Sequence, residues 1–378
     1  MDGNMTRTPV DPDGMMEFSV VFTDRSLNSM SKRFQGVMRD LSSMLCDTYA
    51  AEGVAIVPGG GSYGMEAVAR QFGRDAHCFI LRNGWFSYRW SQIFDAGCFA
   101  AETTVKMASQ TGNDSRAPFA PVPIAEVTQA IRDAKPDVVF APHVETSAGM
   151  ILPDDYLMAV AEAAHDVGAI FVLDCIASGC IWVDMAATGV DVVISAPQKG
   201  WSSTPCAGLV MMSQRALDRL DSTTSNSFSN DLRKWRDIMK AYENGGHAYH
   251  ATMPTDGLVD FHAAMIETRD FGLDAVKVAQ WDLGNRVRAH LAGLGVASVA
   301  APGFQAPGVV VSYTDDPAVK SGAAFAAEGM QIAAGVPLQV GEPDDFMTFR
   351  LGLFGLDKLY DVDATLARLT PVLDRVLG

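Results

Sequence analysis

Long apolar runs are missing from this chain of 378 residues. No stretch of about 18 consecutive apolar residues occurs, which argues against a membrane-spanning helix. Residues 1–17 are polar and acidic and contain no apolar core, so a secretory signal peptide is not expected. We therefore expect a cytoplasmic protein that has no membrane partner.

Positive charge is also scarce. Lys and Arg together number 29 against 45 Asp and Glu, which gives a formal net charge of −16 at pH 7. Nucleic-acid binding depends on clusters of basic residues that neutralise phosphates. Nucleic acid is therefore not an expected partner.

Cysteine and histidine are few and scattered. The six cysteines form no CxxC pair and several lie in apolar stretches, which predicts buried thiols in a reducing compartment. The seven histidines show no metal-ligand spacing. No metal site is predicted.

The chain is rich in apolar residues, and strand-like and helical segments alternate along it. Hydrophobic residues make up 48% of the sequence, which is enough for a large core. The alternation predicts an α/β fold with a mostly parallel sheet that helices cover on both faces. We predict an N-terminal arm over residues 1–30, a large domain over 31–270 and a small C-terminal α+β domain over 271–378.

Two predicted strands end in residues that together favour one kind of chemistry. The apolar run Val192–Ile194 is followed by a polar turn with Lys199, and the run Ala169–Leu173 ends in Asp174. Ligands of open α/β sheets bind beyond the carboxyl ends of the strands. A lysine that forms a Schiff base, beside an aspartate that keeps a pyridine nitrogen protonated, is what pyridoxal 5'-phosphate requires. Lys199 and Asp174 are therefore our candidate catalytic residues.

A glycine-rich turn further upstream supports this interpretation. The predicted strand Gly53–Val57 runs into the turn Pro58–Gly64, which contains Gly59-Gly60-Gly61, and a helix is predicted to begin at Met65. Free backbone N–H groups at such a helix start favour a phosphate. The turn has neither Walker A nor GxGxxG spacing, and each feature has a simpler explanation: a tight turn, a solvated lysine, an aspartate that caps a helix.

Seven segments in this order resemble the class V aminotransferases of fold type I, of the alanine–glyoxylate and serine–pyruvate kind. They are Gly60-Gly61-Ser62 with Met65-Glu66-Ala67, Asn83-Gly84-Trp85-Phe86, His143-Val144-Glu145-Thr146-Ser147-Ala148-Gly149, Asp174, Ser195–Lys199, Tyr249-His250-Ala251-Thr252 and Phe349-Arg350-Leu351-Gly352. The resemblance covers about residues 54–356. It implies a three-layer fold-type I transferase with a smaller C-terminal α+β domain.

The resemblance also implies a set of cofactor-binding residues. They are Gly60, Gly61, Ser62, Phe86, Thr146, Asp174, Ile176, Gln198, Lys199, Tyr249 and Thr252. Phe86 and Ile176 would pack on opposite faces of the pyridine ring, although both also suit ordinary core positions. Tyr249 and Thr252 would reach the phosphate held by the neighbouring subunit, which implies a homodimer with shared sites.

Arg350 resembles the family arginine that grips the substrate α-carboxylate. It lies in an apolar run, where a guanidinium without a partner would be costly. A bidentate grip would orient the α-carbon towards Lys199. The alternative is a structural ion pair.

The sequence departs from the family at three places. Phe22–Asn28 stands where the family has a Gly-Pro-Gly-like loop, so the amino donor stays open, and Arg25 is either a second anion clamp or a surface residue. Gly60 replaces a small hydroxyl residue, and Tyr63 replaces a small one, which affects the pocket size.

The expected function is that of a pyridoxal-phosphate-dependent aminotransferase. It would move an amino group from alanine, serine or aspartate to glyoxylate or pyruvate by a ping-pong mechanism. A lyase of the same fold and a catalytically silent binding protein are the alternatives. A desulfurase would need a C-terminal cysteine, and the last cysteine is Cys206.

Overall fold

The computed structural model describes residues 10–19 and 25–378. Residues 10–19 of the predicted arm contain neither helix nor strand, and residues 15–18 among them are mostly exposed. Residues 1–9 and 20–24 of the predicted arm, which include the first three residues of the atypical segment Phe22–Asn28, lie outside the described residues. The boundaries of the predicted arm therefore stay a prediction.

The described chain forms helices at these positions: α1 (Lys32–Tyr49), α2 (Gly61–Phe72), α3 (Trp85–Gly97), α4 (Ile124–Ala134), α5 (Asp154–Asp166), α6 (Met185–Thr188), α7 (Gln214–Ser222), α8 (Leu232–Glu243), α9 (Thr255–Phe271), α10 (Leu273–Gly293), α11 (Pro317–Ser321), α12 (Ala323–Ala327), α13 (Leu356–Leu359) and α14 (Val362–Leu377).

The strands are β1 (Gly53–Pro58), β2 (His77–Arg82), β3 (Glu102–Met107), β4 (Ser109–Gln110), β5 (Phe119–Ala120), β6 (Val138–Pro142), β7 (Val144–Glu145), β8 (Met150–Ile151), β9 (Ile170–Asp174), β10 (Val192–Ser195), β11 (Ala207–Met212), β12 (Val309–Tyr313), β13 (Ala333–Ala334) and β14 (Thr348–Gly352).

A seven-stranded sheet forms the centre of the molecule. Its strand order is β1-β11-β10-β9-β6-β2-β3. The neighbours from β10 to β3 run parallel, and β11 runs antiparallel to both β1 and β10. The parallel strands β6, β9 and β10 and the antiparallel strand β11 are all buried along their whole length, as expected of a sheet that is covered on both faces. The predicted α/β fold with a mostly parallel sheet is confirmed.

The C-terminal part builds a second, smaller sheet of order β12-β14-β13. Helices α10 and α14 pack beside it over an apolar cluster that includes Leu283, Val287, Phe349 and Leu373. Gly272 separates α9 from α10 with φ 103°, a backbone conformation that side chains disfavour. The domain boundary between residues 270 and 271, two residues earlier, stays a prediction.

Three sequence-based expectations need refinement. The helix predicted over Ala318–Glu328 is two short helices, because Gly322 at φ 83° ends the first. The edge strand β3 was not predicted, because its mostly polar, part-exposed residues lack an apolar pattern. Cys98 is exposed at the left-handed end of α3, so the expectation of buried thiols fails there, although all six cysteines are free.

Across residues 10–19 and 25–378, no helix combines the length and the apolar character needed to cross a bilayer.

Helix α2 approaches the sheet at a contact between two glycines. A Cβ added to Gly208 on β11 would lie 2.7 Å from both the Cα and the N of Gly64, and 2.9 Å from the carbonyl oxygen of Gly60. All three atoms belong to the backbone, so no side chain can move aside. This contact fixes how closely the start of α2 sits against the strand.

We predict that Gly208→Ala lowers the free energy of unfolding by about 2–4 kcal/mol, because overpacking against rigid backbone forces the helix to shift. Gly36→Ala in α1 is the control, since a Cβ there meets nothing within 4 Å and a helical alanine adds up to about 1 kcal/mol. Urea unfolding of both variants provides the measurement. Equal effects would contradict the close-approach argument.

Candidate active site

The two candidate catalytic residues lie at the ends of adjacent parallel strands. Asp174 ends β9, and its Cα partner on β10 is Ile194, after which the chain continues into the turn that carries Lys199. The backbone N–H of Cys175 donates to the carbonyl oxygen of Ile194 at 2.7 Å and so ties the two strand ends together. The strand register therefore brings Asp174 and Lys199 to the same edge of the sheet.

Asp174 is a buried carboxylate, 8% exposed. Its Oδ1 accepts a hydrogen bond from the backbone N–H of Ile176 at 3.0 Å, and no cationic group of the described residues forms an ion pair with it. Burial raises the pKa of Asp174 to about 6, against the smaller opposing effects of that hydrogen bond and of Arg89 and Lys199. A cationic partner would restore the charged form.

The amine of Lys199 lies in a largely desolvated and cationic place. Burial lowers the pKa of Lys199, the charge of Asp174 opposes that shift, and Arg350 and Arg89 lower the pKa further. The Nζ atom is 5.4 Å from the centre of the Phe354 ring. These conditions favour a neutral, nucleophilic amine.

A helix follows the glycine turn as predicted, but α2 begins at Gly61 within that turn, four residues before the predicted start at Met65. Gly59 has φ 121°, and Gly60 precedes the first helical residue, Gly61. The N–H groups of Gly61 and Ser62 find no acceptor within the described chain, as is usual for a first helical turn. A Cβ at Gly61 would come within 2.5 Å of Ile176 Cδ1, so only glycine fits between the turn and that side chain.

A buried glutamate holds the start of α3, the helix that carries Phe86. The Glu145 carboxylate accepts hydrogen bonds from the backbone N–H groups of Phe86 (3.1 Å), Ser87 (2.9 Å) and Ser147 (3.1 Å). It also accepts from the hydroxyls of Ser87 and Ser147, both at 2.7 Å. Glu145 is fully buried. It caps α3 from a different segment of the chain and so fixes the position of Phe86.

Two guanidinium groups lie near the Phe86 ring. The Cζ atoms of Arg89 and Arg350 are each 5.5 Å from the ring centre. Arg350 Nε donates to the carbonyl oxygen of Ala334 at 2.8 Å, and no carboxylate of the described residues lies within ion-pair distance of it. The alternative of a structural ion pair for Arg350 is therefore not seen in the described part of the chain.

The other predicted cofactor residues differ in their placement. Gln198 precedes Lys199, and its buried Oε1 has no hydrogen-bond partner in the described chain. Thr146 is half-buried directly after Glu145. Tyr249 and Thr252 are exposed after α8. Their predicted contact with a neighbouring subunit stays a prediction.

The sequence analysis also named His143 and Arg25, and the backbone N–H of His143 donates to the carbonyl oxygen of Asp174 at 2.8 Å. His143 at a strand end is buried and pairs through Nδ1 with the Ser178 hydroxyl at 2.7 Å. Burial lowers its pKa to about 3, with Lys277 contributing in the same direction, so it stays neutral. Arg25 lies on the surface ahead of α1, and its role as an anion clamp stays a prediction.

The described residues fit pyridoxal phosphate. The Asp174 carboxylate lacks a cation and would accept a protonated pyridine nitrogen. The free N–H groups of Gly61 and Ser62 mark a cradle for a phosphate at the start of α2. The amine that would form the Schiff base, on Lys199, follows Gln198 directly.

Sequence reasoning missed three residues of this region. Glu145 was part of a recognised motif but received no role, although a carboxylate in an apolar strand context is a signal of burial. Arg89 follows Phe86 by three residues and therefore lies on the same face of the helix. This spacing is visible in the sequence and could have identified Arg89. Phe354 gave no signal, because its approach to Lys199 depends on the packing of the C-terminal segment.

We predict that Asp174→Asn stabilises the cofactor-free protein at pH 7. Because burial raises the pKa of Asp174 to about 6, its ionised form opposes folding above pH 6 by up to about 3 kcal/mol. The gain should shrink as the pH falls from 6 towards 4, because wild-type Asp174 is then protonated in the folded state. Thermal unfolding at pH 5 and pH 7 measures this, and an unchanged melting temperature at pH 7 would contradict it.

We also predict that Glu145→Gln lowers the free energy of unfolding by about 2–4 kcal/mol. The amide places an NH2 group against N–H and O–H donors and leaves buried groups unsatisfied. Glu66→Gln is the matched control, because Glu66 forms a surface ion pair with Arg70 at 2.7 Å and should cost at most about 1 kcal/mol. Similar losses for the two variants in urea would refute the capping role.

Comparison with known proteins agrees with this geometry. The family model described as "Aminotransferase class-V" matches residues 89–325. The chain is 25% identical over 327 residues to alanine–glyoxylate aminotransferase 1 of Saccharomyces cerevisiae, covering 82% of this chain and 80% of that protein. It is 24% identical over 307 residues to a 2-aminoethylphosphonate–pyruvate transaminase of Syntrophobacter fumaroxidans, covering 79% and 77%.

Solved structures share the fold. An alanine–glyoxylate aminotransferase from Nostoc sp. superposes with a TM-score of 0.78 at 20% identity, covering 93% of this chain and 89% of that one. A ureidoglycine–glyoxylate aminotransferase from Bacillus subtilis gives a TM-score of 0.77 at 21% identity, covering 93% and 88%. The family match extends over more than half of the sequence. The chain therefore belongs to the class V aminotransferases, and it is a transaminase of the pyridoxal-phosphate-dependent fold type I.

Proposed function

We propose that this enzyme transfers an amino group from a small L-amino acid (alanine, serine or aspartate) to glyoxylate or pyruvate by a ping-pong mechanism. The observation that carries the proposal is Arg350. Its guanidinium has no carboxylate partner in the described chain, approaches the Phe86 ring and acts electrostatically on Lys199. An α-carboxylate bound there would supply the missing counter-charge and turn the α-carbon towards the lysine.

Lys199 and Asp174 would divide the chemistry between them. Bound at this site, pyridoxal phosphate supplies an electrophilic aldehyde and an electron-accepting ring. Burial lowers the pKa of Lys199. Its Nζ atom would remove the proton from the substrate α-carbon and donate it to the cofactor carbon C4′. Asp174 would hold the proton on the pyridine nitrogen through its charge.

The remaining predicted residues would position the cofactor. Phe86 and Ile176 would pack on opposite faces of the pyridine ring, and Thr146 would form a hydrogen bond in the region of the ring hydroxyl. The phosphate would lie against Gly60, Gly61, Ser62 and Gln198. The close fit of Gly61 against Ile176 supports this arrangement, because it leaves no room for a side chain between the turn and the ring position.

We propose that the enzyme works as a homodimer in the cytoplasm. Tyr249 is 69% exposed and Phe228 is 75% exposed, and the Phe228 ring stacks on His250 with centres 4.6 Å apart. The segments before and after α8 thus meet and present exposed aromatic residues, which suits a subunit interface. Tyr249 and Thr252 would cross that interface to the partner's phosphate site.

A lyase of the same fold is the second candidate, and a silent binding protein the third. A lyase would bind the same amino acids through the same residues but would release products without an acceptor. Lys199, Asp174 and Arg350 together weigh against a silent protein, since binding alone needs neither an unpaired buried carboxylate nor a desolvated lysine. Substrate turnover separates these possibilities.

The test follows the visible absorbance of the loaded enzyme during half-reactions. Alanine, serine, aspartate and 2-aminoethylphosphonate are added in turn, without acceptor. A transaminase loses the cofactor's visible band with a matching donor and regains it with glyoxylate or pyruvate. Arg350→Met should raise KM for α-carboxylate donors at least tenfold, and Lys199→Ala should abolish exchange.

Control measurements make the outcome decisive. Release of free ammonia without an acceptor would identify a lyase. Loaded wild-type enzyme that responds to none of the donors would overturn the substrate assignment, and failure to bind pyridoxal phosphate would overturn the role of Lys199. The Glu66→Gln variant, which removes only the ion pair with Arg70 and none of the proposed cofactor or substrate contacts, should behave like wild type.

A further inference from the structure

Arg89 has no place in the roles described so far, yet it touches two parts of the cofactor site. Its Nη1 donates to the Ser62 hydroxyl at 3.0 Å, and its Cζ is 5.5 Å from the Phe86 ring centre. Ser62 belongs to the first turn of α2, and Arg89 belongs to the first turns of α3. The side chain therefore spans the gap between two helix starts.

This guanidinium lacks a counter-charge. Throughout residues 10–19 and 25–378, no carboxylate lies within ion-pair distance of Arg89. The hydroxyl of Ser62 is neutral and satisfies only one of its five donors. A half-buried arginine in this condition points to an anion that arrives with a ligand.

Two anions are available at this site, the cofactor phosphate and the substrate carboxylate. The hydrogen-bond partners of the two arginines indicate which anion each arginine would bind. Arg350 is bonded to Ala334 of the C-terminal sheet, whereas Arg89 is bonded to Ser62, next to the free N–H groups of α2. The N–H donors of the Arg89 guanidinium therefore lie beside the free backbone N–H groups of Gly61 and Ser62.

We propose that Arg89 is a ligand of the cofactor phosphate and completes the cradle formed by Gly61 and Ser62. Planar guanidinium groups match phosphate oxygens with paired hydrogen bonds. The proposal rests on the cofactor site described under the proposed function. It adds to that site a residue from a different helix, which also links the phosphate to the helix that carries Phe86.

The experiment compares two ligands that differ only in the phosphate. Cofactor-free protein is titrated with pyridoxal phosphate and with pyridoxal, and binding is followed by absorbance and intrinsic fluorescence. The preference for the phosphorylated form is measured for wild type, Arg89→Met, Arg89→Lys and Arg350→Met. Melting temperatures confirm that each variant is folded, and Arg89→Lys serves if Arg89→Met does not fold.

We expect Arg89→Met to reduce the preference for pyridoxal phosphate over pyridoxal about 10- to 100-fold, because a charge-assisted contact to phosphate is lost. Arg89→Lys should recover part of it, and Arg350→Met should leave it unchanged. Inorganic phosphate should tighten pyridoxal binding by wild type but not by Arg89→Met.

Two results would overturn the inference. Equal loss of affinity for both ligands would mean that Arg89 only positions Phe86. An unchanged preference with a raised KM for dicarboxylic donors would assign Arg89 to the substrate. In either case wild-type protein still binds pyridoxal phosphate, whereas loss of that binding in wild type would instead refute the cofactor site itself.

Discussion

The arrangement of the site depends on one buried carboxylate that performs no chemistry. Glu145 accepts five hydrogen bonds from Phe86, Ser87 and Ser147. It joins the segment after β6 to the start of α3, and through α3 it sets both Phe86 and Arg89. A Cβ on Gly84 would come within 2.8 Å of the same carboxylate, so the helix start is fitted around it. The candidate cofactor site that we propose therefore depends on electrostatic capping between segments that are distant in sequence.

The protein is strongly acidic, but its site is locally cationic. Lys199, Arg89 and Arg350 act on one another there, and Asp174 is the buried acid among them. Within residues 10–19 and 25–378, the two arginines have no carboxylate and Asp174 has no cationic group at ion-pair distance. Such a site is preorganised for a ligand that has a positive ring nitrogen and negative groups at its ends. These unpaired charges lower the stability of the cofactor-free protein and favour ligand binding, a trade-off that is common at functional sites.

Much of the fold and of the candidate site could be predicted from the sequence, because an apolar run followed by polar residues marks the end of a strand. The apolar runs of β9 and β10 and the polar residues after them predicted the positions of Asp174 and Lys199, and the glycine turn predicted the start of α2. Glu145 and Phe354 escaped prediction because their roles depend on contacts between segments 58 or more residues apart. Tyr249 and Thr252 are exposed in a single chain, so their predicted contacts depend on a second one. The edge strand β3 carries no periodic pattern at all.

The glycine pair between α2 and β11 has a consequence for how this enzyme can diversify. Gly64 on α2 and Gly208 on β11 approach each other through backbone atoms. The distance between α2 and the sheet is therefore set without any side chain. Substitutions in the surrounding loops can alter which substrates enter while this spacing stays the same. A new specificity can therefore evolve, or be engineered, on a foundation whose own positions tolerate almost no mutation. The spacing between the helix and the sheet is set by the main chain, and selectivity is free to vary through side chains.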